Sequence, residues 1–198
     1  MEEQLRLERV TGAALARFIP DLARLRIEVF REFPYLYDGD MDYEQNYLAD
    51  YAKCPSAVIV IAFAGDQVVG ASSAMALRDE CDEFKKPFTE NDYDLDKVFY
   101  CAESVLDADW RGRGLGHRFF DEREAHAREL GGFEHFTFCA VDRPADHPRR
   151  PADYRPLDAF WQRRGYTRHP ELTAEFVWKD LDETEPSPKQ LTYWLKAA

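Results

Sequence analysis

The chain of 198 residues carries 26 basic and 38 acidic side chains, a formal charge of -12, with 45% hydrophobic and 14% aromatic content. That is ample material for a packed core, which excludes a disordered chain, and so acidic a surface repels polyanions, which sets nucleic acid aside as a partner. Cys54, Cys81, Cys101 and Cys139 form no CxxC pair and no ligand spacing with the five histidines, so no metal is expected. The N-terminus lacks a basic segment followed by an apolar stretch, and no run approaches about 18 apolar residues. Neither a signal peptide nor a membrane span is therefore expected. The reading is one cytoplasmic domain over residues 1–198.

Residues 5–10 are a short, partly alternating apolar run, which predicts a first strand. Thr11 is placed to cap a helical region reaching Phe30. Along it Leu15, Phe18, Ile19, Leu22, Leu25, Val29 and Phe30 recur at three- and four-residue spacing on one face. Pro20 has no amide hydrogen and breaks or kinks this region. An aromatic and acidic stretch, 33–42, precedes a second helix over about 43–53. Residues 57–64 are apolar and of strand length, Gly65-Asp66 supplies a tight turn, and 67–77 return as the partner strand.

The acidic segment 78–96 reads as an insertion with one helical turn. A strand over 98–106, a glycine-rich loop, a helix over about 114–130 stopped by Gly131-Gly132, and a strand over 133–141 make one β-α-β unit. Residues 143–155, rich in proline, arginine and aspartate, read as a loop. Pro156 suits the first turn of a short helix to Arg164, with Gly165 just past its end. The last strands fall at 173–181 and 191–196. This is an α/β (α+β) plan of about seven strands, with antiparallel hairpins flanking the central β-α-β unit.

The segment from Glu103 to His117 carries the chemistry: strand, glycine-rich turn and helix start in direct succession. At such a junction several N–H groups lack intrahelical partners and converge on an anion, the helix dipole adds to the attraction, and glycine allows close approach. A diphosphate is the natural guest. Gly112, Gly114 and Gly116 alternate strictly, so the GxGxxG dinucleotide fingerprint is not met, and the GK[ST] of a nucleotide-triphosphate loop is absent. The pattern [QR]xxGx[GA] is met by Arg111, Gly114 and Gly116.

That segment resembles the acyl-CoA-binding motif of the GNAT superfamily. Phe160-Trp161-Gln162-Arg163-Arg164-Gly165-Tyr166 is similar to the family's second signature, FYxxxGF, and the element order from Leu5 to Lys196 also fits. The resemblance implies a mixed, mostly antiparallel sheet with helices on both faces, whose central strands splay to admit the pantetheine arm. It implies acetyl-CoA as cosubstrate. Main-chain groups of Val105, Leu106 and Asp107 would meet the pantetheine amides, and those of Arg111, Gly112, Arg113, Gly114, Leu115, Gly116 and His117 the diphosphate.

The implied reaction is direct attack by an amine on the acetyl thioester in a ternary complex. Glu103 stands where many relatives carry the general base. A base is useful because an alkylamine with pKa near 10 is only about 0.1% neutral at pH 7. The family's usual proton donor is the tyrosine of FYxxxGF, and here Trp161 replaces it. An indole N–H does not surrender its proton, so Tyr154 or water takes that part and Trp161 packs on the pantetheine arm.

The loop after the first helix, with Tyr35, Tyr37 and Asp38, would form one wall of the acceptor site, and its aromatic and acidic character suits a cation. Across the site, 143–155 with His147, Arg149 and Arg150 favours an acidic group instead, which together would suit a zwitterion. The acceptor is read as a small-molecule amine. The alternative is a catalytically silent acyl-CoA sensor. Homodimer formation is a further expectation, with 191–196 as an exchange element.

Overall fold

In the computed structural model, which describes residues 5–198, an eight-stranded sheet runs in the order β1-β2-β3-β4-β6-β8-β7, with β5 also paired to β3. Residues 1–4, the start of the expected domain, lie outside the described residues. The strands are β1 (Leu5–Val10), β2 (Val58–Ala64), β3 (Gln67–Ala76), β4 (Val98–Tyr100), β5 (Ser104–Leu106), β6 (His135–Val141), β7 (Thr167–Trp178) and β8 (Ser187–Ala197). Every pairing is antiparallel except β4 with β6, the two strands of the β-α-β unit.

The helices are α1 (Ile19–Phe30), α2 (Met41–Tyr51), α3 (Asp82–Thr89), α4 (Leu115–Leu130) and α5 (Asp158–Arg163). Alternation along β2 sends Ile59, Ile61 and Phe63 to a core shared with Leu22 and Leu25 of α1 and Leu48 of α2. Val60, Ala62 and Ala64 point the other way, onto Leu115 and Phe119 of α4. Farther along the sheet Phe99, Phe136 and Phe138 join the side of α4 and α5, and Tyr100, Cys139 and Tyr193 join the side of α3.

Three local expectations are revised. Thr11 makes no side-chain cap; residues Gly12–Phe18 form a 3-10 helix, and Pro20 then sits in the first turn of α1, where a missing N–H costs nothing. The segment after Leu77 holds a two-turn helix, α3, whose Phe88 is fully buried, rather than a single turn. The strand expected over 98–106 is two strands, which raises the count from seven to eight. β8 lies between β6 and β7 with both edges paired, so exchanging it with another copy would mean withdrawing it from both neighbours.

Candidate active site at the break in the central strand

The interruption between β4 and β5 creates the site. Through Tyr100 the chain pairs with β6, and the Cys101 amide still donates to the Thr137 carbonyl at 2.7 Å. From Ser104 the chain pairs with β3 alone, while β6 continues from Phe138 paired only to β8. Two strand edges therefore diverge with unpaired main-chain groups facing one another. The ladder with β3 decides which groups those are. Ser73 N–H donates to the Glu103 carbonyl at 3.0 Å and Asp107 N–H to the Val69 carbonyl at 2.9 Å, so residues 103, 105 and 107 face β3. The free edge belongs to Ser104 and Leu106. Of the three residues expected to meet pantetheine, only Leu106 turns its peptide groups to the gap; Val105 faces β3, the Asp107 N–H is spent on Val69 and its carbonyl on the Trp110 N–H.

The fork is held from beneath by Arg123 of α4, which is buried and donates through Nη1 to the carbonyls of Ser73 and Glu103, at 3.3 Å each. At the wide end of the gap comes the glycine turn. Gly112 and Gly114 have φ of +76° and +78°, in the left-handed region that favours glycine. The amides of residues 112–116 find no hydrogen-bond acceptor among the described residues, and Arg111, Gly112, Arg113 and Gly114 are exposed at the head of α4. A Cβ built on Gly112 or Gly114 would meet nothing within 4 Å, whereas one on Gly116 would touch Phe160 at 3.5 Å, an ordinary contact. Open space lined by free amides at a helix head fits a diphosphate.

The side chains around the turn are already engaged. Arg111 pairs with Glu32 at 2.7 and 3.0 Å and donates to the Leu106 carbonyl at 3.2 Å, tying the turn to the loop after α1. Arg113 lies over the Trp110 ring at 4.5 Å, and His117 packs edge-on against Phe160 at 4.7 Å. Trp161 sits in the aromatic cluster on the α4 and α5 side, 5.0 Å from Phe138 and 5.1 Å from Trp194. Tyr154 stands edge-on to Phe33 at 4.7 Å with Arg150 over its ring.

On the opposite face of the sheet a cavity of about 1130 Å³ opens between α1, α2, α3 and β7, with Glu103 on its floor. Arg26 of α1 bridges the carboxylates of Glu103 and Glu44 and stacks on Tyr47 at 4.4 Å. One guanidinium between two carboxylates leaves one negative charge in excess. Tyr35 and Tyr37 line this cavity, and burial holds both hydroxyls well above the usual tyrosine range. Asp38 lines it too, but Lys179 at 2.7 Å and Arg31 at 3.6 Å already balance its charge, with the Lys179 contact holding its carboxyl below the ordinary range.

No residue of 143–155 lines the cavity. Arg143 is spent on Asp180 at 2.7 Å and on the Pro34 and Tyr35 carbonyls, so the expected contact with an acidic acceptor group has no counterpart there. Sequence reading missed Arg26, Glu44 and Glu80. A signal for the first two was present: Arg26 follows Leu22 by four residues, and Glu44 precedes Leu48 by four, so both are charges set on apolar stripes.

A sequence profile of the Acetyltransferase (GNAT) family matches residues 22–152. The chain belongs to the GNAT acetyltransferase family. Similar solved structures share its fold at low identity. An acetyltransferase from Thermus thermophilus is 16% identical with TM-score 0.59, each chain covered in full. A ribosomal-protein-alanine N-acetyltransferase from Brucella melitensis is 14% identical with TM-score 0.62, covering 98% of this chain and 99% of its own. The acetyltransferase yncA of Salmonella typhimurium, solved with acetyl-CoA, is 11% identical with TM-score 0.59, covering 98% and 93%. No curated protein sequence matches the chain. As a GNAT member it is an acyltransferase for which acetyl-CoA is the fitting cosubstrate. Among the described residues no cluster of His, Cys, Asp and Glu is built to hold a metal, and no helix is long and apolar enough to cross a membrane.

Glu80, deep in the cavity wall, has its carboxyl raised above the ordinary glutamate range, chiefly by burial, even though it accepts from the Tyr51 hydroxyl at 3.1 Å. A raised carboxyl favours the folded state while protonated, so this contribution is present in acid and is lost as pH climbs through the folded value. Glu80→Gln should therefore melt higher than wild type at neutral pH, with the gap closing toward about pH 4. A gap independent of pH in thermal unfolding curves would assign the effect to packing instead.

Proposed function

We propose that the protein transfers the acetyl group of acetyl-CoA to the nitrogen of a small-molecule amine, by direct attack in a ternary complex. The observation that carries this reading is the row of partnerless, exposed amides at the head of α4, opening onto an interrupted strand with a carboxylate beside the break. The coenzyme supplies an acetyl thioester. Main-chain groups of residues 112–116 hold its diphosphate, and the free edge at Ser104 and Leu106 takes its pantetheine arm as a borrowed strand. Trp161 and Phe138 form the apolar wall of the gap.

The acceptor nitrogen enters from the cavity on the other face. Its lone pair forms the new C–N bond as the C–S bond breaks, and the proton it sheds goes to Glu103, directly or through water. The departing thiolate needs little assistance, since a thiol pKa near 8.5 makes it a fair leaving group. Water protonates it, with the Tyr154 hydroxyl, which burial raises above the usual tyrosine range, serving as a hydrogen-bond donor to that water. A covalent acyl-enzyme is unfavourable here: burial raises both the Cys101 and Cys139 thiols, the latter to about 12, leaving no thiolate to attack.

Release of CoA thiol in the presence of an amine panel tests the reading, alongside calorimetry with CoA. Tight CoA binding with no thiol release from any amine would favour a silent acyl-CoA sensor. Glu103→Gln should lower turnover by about 100-fold, the lower range for a general base, and flatten the acid limb of the pH profile while leaving CoA affinity unchanged. Equal rates in the variant across pH would remove Glu103 from the mechanism.

A further inference from the structure

The cavity that faces Glu103 has a charge pattern of its own. Nine carboxylates and two basic side chains line it. Several of the nine are already balanced: Asp38 by Lys179 and Arg31, Asp50 by Lys53, Asp79 by Arg78, and one of the two charges of Glu44 and Glu103 by the shared Arg26. Asp40 caps α2 through the Tyr43 amide. That leaves Glu80, Glu83 and Glu175 without a cationic partner within salt-bridge distance among the described residues. Glu80 is 8% exposed and stands at the end of a hydroxyl chain running from Tyr47 through Tyr51, at 3.1 Å for each step.

The second carboxylate at the sheet break, Glu44, is fully buried; its Oε2 accepts from Arg26, and the Tyr37 hydroxyl on the cavity wall stands against it. Between these acids the walls are aromatic, with Phe30, Tyr47, Phe84, Tyr100, Phe176 and Trp178 among the lining rings. Ring faces beside carboxylates attract alkylammonium groups and tolerate the methylenes that join them.

The excess of negative charge has two centres. One lies at the sheet break, with Glu103 and Glu44. The other lies where β3 runs out into the segment carrying Glu80 and Glu83, past Met75 and Tyr100, the pair that closes the ladder between β3 and β4. We propose that the acceptor is an aliphatic diamine or polyamine: one amino group reacts at Glu103 while a second, as ammonium, is held in the Glu80 and Glu83 part of the cavity. This rests on the N-acetyltransferase reading and narrows its substrate class. It also accounts for the acidic excess among the groups that line this cavity. A zwitterion is disfavoured because the basic lining groups, Arg26 and Lys179, are already paired with carboxylates.

The test is calorimetry on the wild-type protein saturated with CoA, titrated in turn with 1,4-diaminobutane, 1-aminobutane and 4-aminobutanoate. The diamine should bind at least tenfold more tightly than the monoamine and should weaken with added salt, and 4-aminobutanoate should bind least. Under acetyl-CoA the same order should appear in kcat/KM. Glu80→Gln should raise the Kd for 1,4-diaminobutane by about tenfold, the size of one charge-assisted contact. Equal affinity for the diamine and the monoamine, or a preference for 4-aminobutanoate, overturns the proposal while leaving the acetyltransferase reading intact. Absence of any heat from CoA itself sinks that broader reading instead.

Discussion

Gly114→Val should lower affinity for CoA by more than about 100-fold without unfolding the protein. Gly114 adopts φ of +78°, so any side chain is strained there, by about 1–2 kcal/mol for a left-handed residue and more for a β-branched one. No clash adds to that cost, because the new Cβ would meet no atom within 4 Å. The space it enters is the open side of the glycine turn, where the amides of residues 112–116 have no acceptor among the described residues. Valine would thus occupy the proposed place of a phosphate and tilt the donors meant to hold it. Calorimetry with CoA, with circular dichroism as the control for folding, reads the result. Gly116→Ala gives the contrast: its Cβ lands at ordinary contact distance from Phe160, so binding should fall by less than about tenfold. Undiminished CoA binding by Gly114→Val would move the diphosphate elsewhere.

Arg26→Met should cost about 3–5 kcal/mol of stability, which for a chain of this size lowers the melting temperature by on the order of 10 °C. Arg26 is 8% exposed and is the one cation shared by Glu44 and Glu103, of which Glu44 is wholly buried. Methionine fills most of the same volume and keeps contact with the rings of Tyr47 and Phe30, so lost packing is a small part of the loss. The penalty comes from an uncompensated charge in a low-dielectric interior. The double change Arg26→Met with Glu44→Gln should recover about half of it. No recovery would mean that the guanidinium acts chiefly through its stacking on the two rings.

Much of this architecture is legible in the residues alone. Residues 57–64 announce a buried strand because all eight are apolar, and the GxGxG turn announces a helix head because glycine alternation has few other uses there. What escaped was geometry that no periodicity records. The run 98–106 is apolar at both ends and reads as one strand, yet the chain leaves β6 after Cys101 and, past an irregularity, resumes its pairing with β3 at Ser104. The cause is tertiary: Arg123, 20 residues downstream on α4, and Ser73 both bind the Glu103 carbonyl and hold the backbone to β3 while β6 diverges.

The family resemblance points to the loop carrying Tyr35, Tyr37 and Asp38, and the structure sets all three on the cavity wall; what the residues alone do not show is that Lys179 and Arg31 balance the charge of Asp38. Glu80 carried no signal, since it sits in an irregular acidic segment whose pairing with Tyr51 of α2 depends on how that segment folds back. Single charges on apolar stripes, as at Arg26 and Glu44, are the cue that would have found the rest.

The central interruption is reached from two sides: the glycine turn and α4 flank one face, and α1, α2, α3 and β7 enclose the other. On the proposed reading, donor and acceptor compartments share only the few residues at the fork. Exchanges in α2 or β7 would then reshape what is acylated without touching the groups proposed to grip the coenzyme. A scaffold divided in this way can diversify its choice of recipient while its donor stays constant.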